Sequence, residues 1–439
     1  MSDAATRTFE SQVQQLRAGE TGTLPEAELE PVDAVPDMEE LPEDPDTARE
    51  ALARTIVLKL NGGLGTSMGM TRAKSLLEVR EGRSFLDLIA DQVLALRERT
   101  GARVPLVLMN SFATRDDSLA ALHRHEGIDA DVPLDFLQNK VPKLEAETLE
   151  PIDWPADPDK AWAPPGHGDL YAALQTSGML ETLLDRGYRW AFVSNADNLG
   201  AVLDERILAW VARERLPFAM EVADRTAADR KGGHLARRRE TGSLVLREIA
   251  QTPDEDVDAF QDVDRHRFFN TNTLWLDLEA LAATLRARDG VLGLPMIVNR
   301  KTVDPGDASS PAVVQLETAM GAAIDVFEGA AALRVPRTRF APVKTTNDLL
   351  GVRSDAYDLG DDGALRLHPS RTAPPVIDLD TQFFKLVDGF EARFPAGAPS
   401  LVGCDRLTVR GDVTFGVDVV VRGSVEVDAD VPDGAVLEG

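Results

Sequence analysis

One cysteine, Cys404, in 439 residues excludes an internal disulfide framework and a multi-cysteine metal site. The six histidines are scattered, with no H-x-x-x-H pair and no H-E-x-x-H, so their spacing carries no zinc signature. No run of about 18 apolar residues is present, which excludes a membrane-spanning helix. The opening MSDAATRTFESQ has no apolar stretch and carries acids early, so it is not a secretory signal, and a cytoplasmic protein is expected. Basic residues are in short supply, 47 against 74 acids, for a net charge of −27. That balance argues against nucleic acid or an anionic membrane as partner. Lysine is scarcest, nine residues among the 47 bases, which makes each lysine in a motif informative.

The length suits two or three domains of about 150 residues. Residues 1–18 read as a short amphipathic helix through Phe9, Val13 and Leu16. From Glu20 to Glu50 the chain holds twelve acids, five prolines and one base, Arg49. This segment is expected to be an extended, solvated arm wrapping the next domain. Strands are expected at 55–60, 104–110, 188–195, 218–223 and 272–278, and helices at 85–99, 114–125, 171–187 and 203–215. The alternation predicts a mainly parallel, doubly wound sheet, with ligands at the C-terminal ends of its strands. Beyond residue 400 apolar residues recur every six positions (Leu401, Leu407, Val413, Val419, Val425, Val431). A second register follows two residues on (Val409, Phe415, Val421, Val427). A six-residue period with turn glycines favours a small parallel β-helix over an antiparallel sandwich.

Four segments carry chemistry. The first is Leu58-Lys59-Leu60-Asn61-Gly62-Gly63-Leu64-Gly65-Thr66-Ser67-Met68-Gly69, followed by Lys74. Glycines let the backbone approach a phosphate closely and aim N–H groups at it. A Walker loop needs Gly-Lys-Ser/Thr, whereas Gly69 is followed by Met70-Thr71. A dinucleotide fingerprint fits loosely at Gly63, Gly65 and Gly69, but no helix opens there and the motif has no use for Lys74. A nucleoside-triphosphate loop with an anchoring lysine is the third reading. The second segment is Pro164-Pro165-Gly166-His167-Gly168-Asp169, whose histidine is a base or sugar contact, or else a structural loop residue. The third, Ser194-Asn195-Ala196-Asp197-Asn198, ends an apolar strand. There Asp197 is either a carboxylate that joins phosphate oxygens in holding Mg2+ or part of an Asx turn. The fourth is Lys344-Thr345-Thr346-Asn347-Asp348, where the lysine meets a phosphate or belongs to a basic surface.

Taken together over about residues 52–439, these segments resemble the eukaryotic-type UTP–glucose-1-phosphate uridylyltransferase family. The resemblance includes KLNGGLGTSMG, VPLVLMNSF, PPGHGD, FVSNADNLGA, FNTNTLW, QLETAMGAAI, PVKTTNDLL and LTVRGDVTFG in unbroken order. It implies an α/β fold: a Rossmann-like nucleotidyltransferase (GT-A-like) mixed-sheet core over 51–375, after an N-terminal helix and acidic arm over 1–50. A C-terminal left-handed parallel β-helix over 376–439 would complete it and provide any oligomer contact.

The same resemblance implies site roles. Leu60, Asn61, Gly62 and Gly63 would hold the uridine nucleotide and Gln138 the uracil, with Gly166 against the base. Lys74 and Lys344 would be catalytic and contact the UTP phosphates. His167, Asn195, Ala196 and Asp197 would face the sugar phosphate together with Gly62 and Gly63, and Asn195 and Asp197 would also touch UTP. Asn270, Asn272 and Glu317 would line the glucose pocket, and Asp197 would bind Mg2+. The partners implied are UTP, glucose 1-phosphate, UDP-glucose and pyrophosphate. One departure stands out: the family often has Gly-Pro before the lysine of Lys-Ser, and this chain has Arg72-Ala73. Rival readings are an N-acetylhexosamine pyrophosphorylase, whose loop carries Gly-Thr-Arg where this chain has Gly65-Thr66-Ser67, and a broad UDP-sugar pyrophosphorylase. A nicotinamide dehydrogenase and a nonenzymatic nucleotide sensor are rivals from other classes.

Overall fold

A computed structural model describes residues 3–20 and 22–439. Its centre is a ten-stranded sheet. The strands are β1 (Leu29–Pro31), β2 (Thr55–Asn61), β3 (Leu106–Asn110), β4 (Asp135–Leu137) and β5 (Trp190–Asn195). They continue as β6 (Phe218–Asp224), β7 (His234–Arg238), β8 (Leu244–Arg247), β9 (Phe268–Asp277) and β10 (Ala331–Arg334). The path is β1-β7-β9-β5-β2-β3-β4, with β8 beside β7 and β6 between β9 and β10.

Strands β5, β2, β3 and β4 are parallel, as the strand–helix alternation predicts. β9 is antiparallel to β5, β6 and β7, so the sheet is mixed and the expected mainly parallel sheet holds for one half only. The cause is local. Parallel neighbours need a long crossover, usually a helix. Between β6 and β9 the longest helix is the five-residue Val257–Gln261, so the chain doubles back instead.

Every residue of β2 is buried, which suits a strand covered on both faces. Val57, Leu106, Leu108 and Phe192 pack under helices Phe85–Thr100 and Glu205–Glu214. Ile56, Leu58, Val107 and Val193 pack under Leu170–Thr176, Met179–Asp185 and Leu278–Ala287. The single helix expected over 171–187 is broken in two at Ser177–Gly178, where Gly178 takes φ +75°. Among the described residues no helix is long and apolar enough to cross a membrane.

The acidic segment does wrap the core, but it is not a solvated arm. Leu24, Leu29, Val32 and Met38 are buried, and β1 extends the sheet antiparallel to β7. Its acids have basic partners that composition does not reveal. Glu26 sits 2.6 Å from Arg247, 2.7 Å from Arg265 and 3.1 Å from His266.

The tail forms a parallel stack, β11 (Val376–Leu379), β12 (Ser400–Val409), β13 (Val420–Val427) and β14 (Val436–Glu438). Leu407 pairs with Val425 and Val409 with Val427, 18 residues on, and Phe415 with Val431, 16 on. About three hexapeptides thus make one layer, and the antiparallel sandwich is excluded. Both six-residue registers point inward, with Val425 half-buried.

Candidate active site

β2, β3 and β5 end side by side, and their loops form a cleft of about 270 Å3. Leu60, Asn61, Gly62, Gly63 and Lys74 line one side, Asn195, Ala196 and Asp197 a second, and Gln138, Gly166 and His167 a third. Eleven sequence-predicted residues therefore meet at the strand ends, where an open α/β sheet places its ligands.

The glycine loop is tied back on itself: Leu64 bridges Ala73, and Lys74 N–H donates to Gly63 O at 3.2 Å. Lys74 is thereby seated beside Gly62–Gly63, and its Nζ lies 2.7 Å from Asp197 Oδ2. A Cβ on Gly62 would lie 2.6 Å from Gln138 Oε1, so the side-chain amide rests directly on the loop backbone. Asn61 faces inward. Its Nδ2 donates to Asn110 Oδ1 at 2.7 Å and Ser118 Oγ at 2.8 Å, which leaves its backbone for a ligand.

Gly166 has φ +77°, and a Cβ there would lie 2.5 Å from Thr318 O, so only glycine fits. Next to it, Met320 N–H donates to His167 Nδ1 at 2.9 Å. Nδ1 is therefore the acceptor, and the ring proton sits on Nε2. Burial, helped by the positive charge of Lys344, pulls His167 down to about 4, so near pH 7 it is a neutral donor. Asp169 closes the same loop by accepting from Asn139 N at 2.6 Å and Nδ2 at 2.9 Å, while burial pushes its carboxyl up to about 7.

β5 runs in register with β2, and Ala196 N–H donates to Leu60 O at 3.1 Å. The Asp197 carbonyl accepts from Val343 N–H at 3.0 Å, which brings the next residue, the exposed Lys344, beside the cleft. Thr345 and Asp348 form a capping box on helix Thr346–Arg353, and Asp348 also accepts from Lys344 N–H at 2.8 Å.

The family model for UTP–glucose-1-phosphate uridylyltransferase matches residues 6–422. The chain belongs to this family. A UTP–glucose-1-phosphate uridylyltransferase from Hordeum vulgare is 44% identical over 406 residues, covering 90% of this chain and 83% of the relative. One from Encephalitozoon cuniculi is 40% identical over 416 residues, covering 93% and 81%. Among solved structures, the Leishmania major UDP-glucose pyrophosphorylase in its open and closed structures superposes with TM-score 0.93 at 46% identity, covering 99% of this chain and 95% of that one. A Trypanosoma brucei structure titled UDP-glucose phosphorylase gives TM-score 0.89 at 44% identity, covering 100% and 96%.

Within this uridylyltransferase-family fold, three expected sugar residues are not among those that line the cleft. Asn270 and Asn272 bond each other on β9, Nδ2 to Oδ1 at 3.0 Å and N–H to Oδ1 at 2.9 Å. Glu317 accepts from Gln315 Nε2 at 2.7 Å, with its Cβ against Gly166. Sequence reasoning missed Glu248. Asn270 N–H donates to Gly233 O at 3.0 Å, and a Cβ on Gly233 would lie 2.6 Å from Glu248 Oε2. Burial pushes Glu248 up to about 7, with Lys344 pulling it partly back. No spacing marks Glu248, because it comes beside Gly233 through the fold of β7, β8 and β9.

Two polar atoms beside Lys74 are buried with no protein partner, Asp197 Oδ1 and Ser75 Oγ. Ser75 lay unremarked in the Lys74-Ser75 pair. Among the described residues no group of three or more His, Cys, Asp and Glu could hold a metal alone. One free carboxylate oxygen does fit a hard divalent ion that completes its shell with phosphate oxygens and water.

Proposed function

We propose that this chain transfers uridylyl from UTP to glucose 1-phosphate, giving UDP-glucose and pyrophosphate with Mg2+ bound through Asp197. The observation that carries this reading is the pair of partnerless buried atoms, Asp197 Oδ1 and Ser75 Oγ, set beside Lys74 in a glycine-walled cleft. Such a cleft asks for anionic oxygens and a cation.

In this reading uracil lies between Gln138 and the Gly62 and Gly166 backbones. The backbone at Leu60–Gly63, Ser75 and Lys74 take the phosphates. A phosphate oxygen of glucose 1-phosphate attacks the α-phosphorus in line, a new P–O bond forms, and the α–β bridging bond breaks to release pyrophosphate. The nucleophile is already anionic, so no strong base is needed. The obstacle is repulsion between two highly charged substrates. A divalent ion held by Asp197 would supply charge neutralisation between them. Lys74 and Lys344 stabilise the transferring phosphoryl group, and holding the reactants at attack distance supplies much of the remainder. Neutral His167 donates from Nε2 to the sugar phosphate while its Nδ1 stays seated on Met320 N–H. Asn195 and Ala196 flank the sugar phosphate. Glu248 and Asn270 receive glucose hydroxyls, with Asn272 and Glu317 supporting them.

Residues 376–439 form the left-handed β-helix unit in this reading. The 16- and 18-residue layers, about three hexapeptides each, support it. They also offer the surface for any self-association.

The test is pyrophosphate release from UTP and Mg2+ with glucose, galactose or N-acetylglucosamine 1-phosphate. Release with glucose 1-phosphate alone is expected. UTP binding without release for any sugar phosphate would sink the proposal.

A further inference from the structure

Lys59 belongs to the first motif but not to the cleft. Its side chain leaves β2 on the face covered by helices Phe85–Thr100 and Glu205–Glu214, over the Phe192 ring, and is 1% exposed. The amine donates to Ser194 Oγ at 2.7 Å and to Ala201 O at 2.9 Å. These residues bracket the turn that carries Asn195, Ala196 and Asp197. The far side of that turn is clamped as well. Asn198 Nδ2 donates to Arg339 O at 3.2 Å, and Asn198 Oδ1 accepts from Ala341 N–H at 2.9 Å. A Cβ on Gly200 would lie 2.6 Å from Thr338 O, so the turn and the 338–343 segment touch backbone to backbone.

That segment has its own buried anchor. Arg339 meets Glu221 through two bonds, Nε to Oε2 at 2.8 Å and Nη2 to Oε1 at 2.7 Å. Trp275 Nε1 adds a third bond to Glu221 Oε1 at 3.0 Å. The segment then delivers Val343 N–H to the Asp197 carbonyl and ends at Lys344. The cluster of Lys59, Arg339 and Glu221 is costly, with two cations to one carboxylate in the interior. Burial pulls the Lys59 amine down to about 7, with Arg339 adding to the pull and Glu221 opposing it. A methionine would fill the same space without that cost, so stability gives no reason for a lysine here.

We propose that Lys59 is a positioning residue: its amine clasps both ends of the Asp197 turn and, with the Arg339–Glu221 pair, fixes Asp197 and Lys344 relative to each other. The inference rests on the uridylyltransferase reading. It makes the metal-holding carboxylate and the second phosphate lysine a single unit set from the interior.

Lys59→Met tests it, since the change keeps the volume and removes both hydrogen bonds. The melting temperature should stay at or above that of the wild type. The affinity for Mg-UTP, read by calorimetry without the sugar phosphate, should fall about tenfold, as when the support of a metal ligand is lost. The affinity for metal-free UTP should hold, and kcat should drop about tenfold or more. Ser194→Ala removes one of the two clasps and should move the same two quantities less. Its effect should vanish in the Lys59→Met background. A folded Lys59→Met enzyme with wild-type Mg-UTP affinity and kcat would overturn the proposal. Should Lys59→Met fail to fold, an unchanged Ser194→Ala enzyme would overturn it equally. The wild type run alongside separates the two claims. No turnover of UTP with glucose 1-phosphate by the wild type defeats the reaction reading, whereas normal turnover in the variants defeats only the role of Lys59.

Discussion

At the scale of single residues, the site depends on groups whose neighbours leave them one job. Lys344 is exposed, and in the proposed reaction its part is electrostatic. Lys344→Ala should lower kcat by roughly 10²–10³, the cost of one preorganised donor to a transition state, with little change in UTP binding. An unaltered kcat would remove Lys344 from the mechanism. Gly166→Ala would bring a Cβ to within 2.5 Å of Thr318 O at a φ of +77°. The loop must then shift, and with it His167. A loss of about 10² in kcat/KM is expected from a displacement near 1 Å, measured beside a thermal melt showing the protein folded. Gly166, His167, Lys74 and Asp197 were legible in the sequence, because glycine loops and a strand-terminal aspartate carry local signals. Glu248 was not, since its role depends on which strands lie over which.

Glu248 gives a pH test with a definite sign. Its carboxyl is held up at about 7 against an ordinary value of 4.5, so the folded state favours the protonated form. The stability it contributes is complete below about 4.5 and is lost as pH rises through 7. Glu248→Gln removes the titration. It should raise the melting temperature at pH 8 by roughly 2 °C and by much less at pH 5. The same gain at both pH values would show that Glu248 is not buried as described.

At the scale of elements, the N-terminal strap departs most from its composition. Twelve acids and five prolines read as solvated chain. In the fold three of those acids, Glu26, Asp37 and Glu39, lie opposite arginines more than 200 residues away in sequence, and no local pattern announces such pairs. Arg247 is 0% exposed, with Glu26 at 2.6 Å and Asp256 at 3.3 Å. Glu26→Ala should cost about 2–3 kcal/mol, because a buried guanidinium keeps a single, weaker carboxylate partner. Denaturant unfolding checks this, and a loss below about 0.5 kcal/mol would mean the strap is held by β1 and its apolar residues alone. The central strands were readable as β-branched runs. The direction of β9 was not, because strand orientation follows from the connections before it. The six-residue period in the tail was readable because every layer of the parallel stack repeats the same inward positions.

At the scale of the molecule, one apolar core joins the face of the sheet under helix Phe85–Thr100 to the C-terminal stack. Val57 and Phe192 belong to the same buried cluster as Phe384, Phe394, Leu407 and Val421. The helical connection between β11 and β12 also touches the glycine loop, where Leu386 lies 3.3 Å from the position of a Cβ on Gly69. The chain on either side of residue 375 therefore shares one interior, and calorimetric unfolding should show a single transition rather than two. The net charge of −27 looks hostile to anionic substrates. In the proposed reaction, loop N–H groups, Lys74, Lys344 and a cation held by Asp197 would set the field at the phosphates, whatever the outer surface carries.

The central claim is uridylyl transfer to glucose 1-phosphate. Its most direct test is 31P NMR of the wild-type enzyme with UTP, glucose 1-phosphate and Mg2+. The account predicts that UDP-glucose and pyrophosphate appear in equal amounts, and that added pyrophosphate drives UDP-glucose back to UTP. UMP and pyrophosphate without a sugar nucleotide, or unchanged substrate signals, would contradict it.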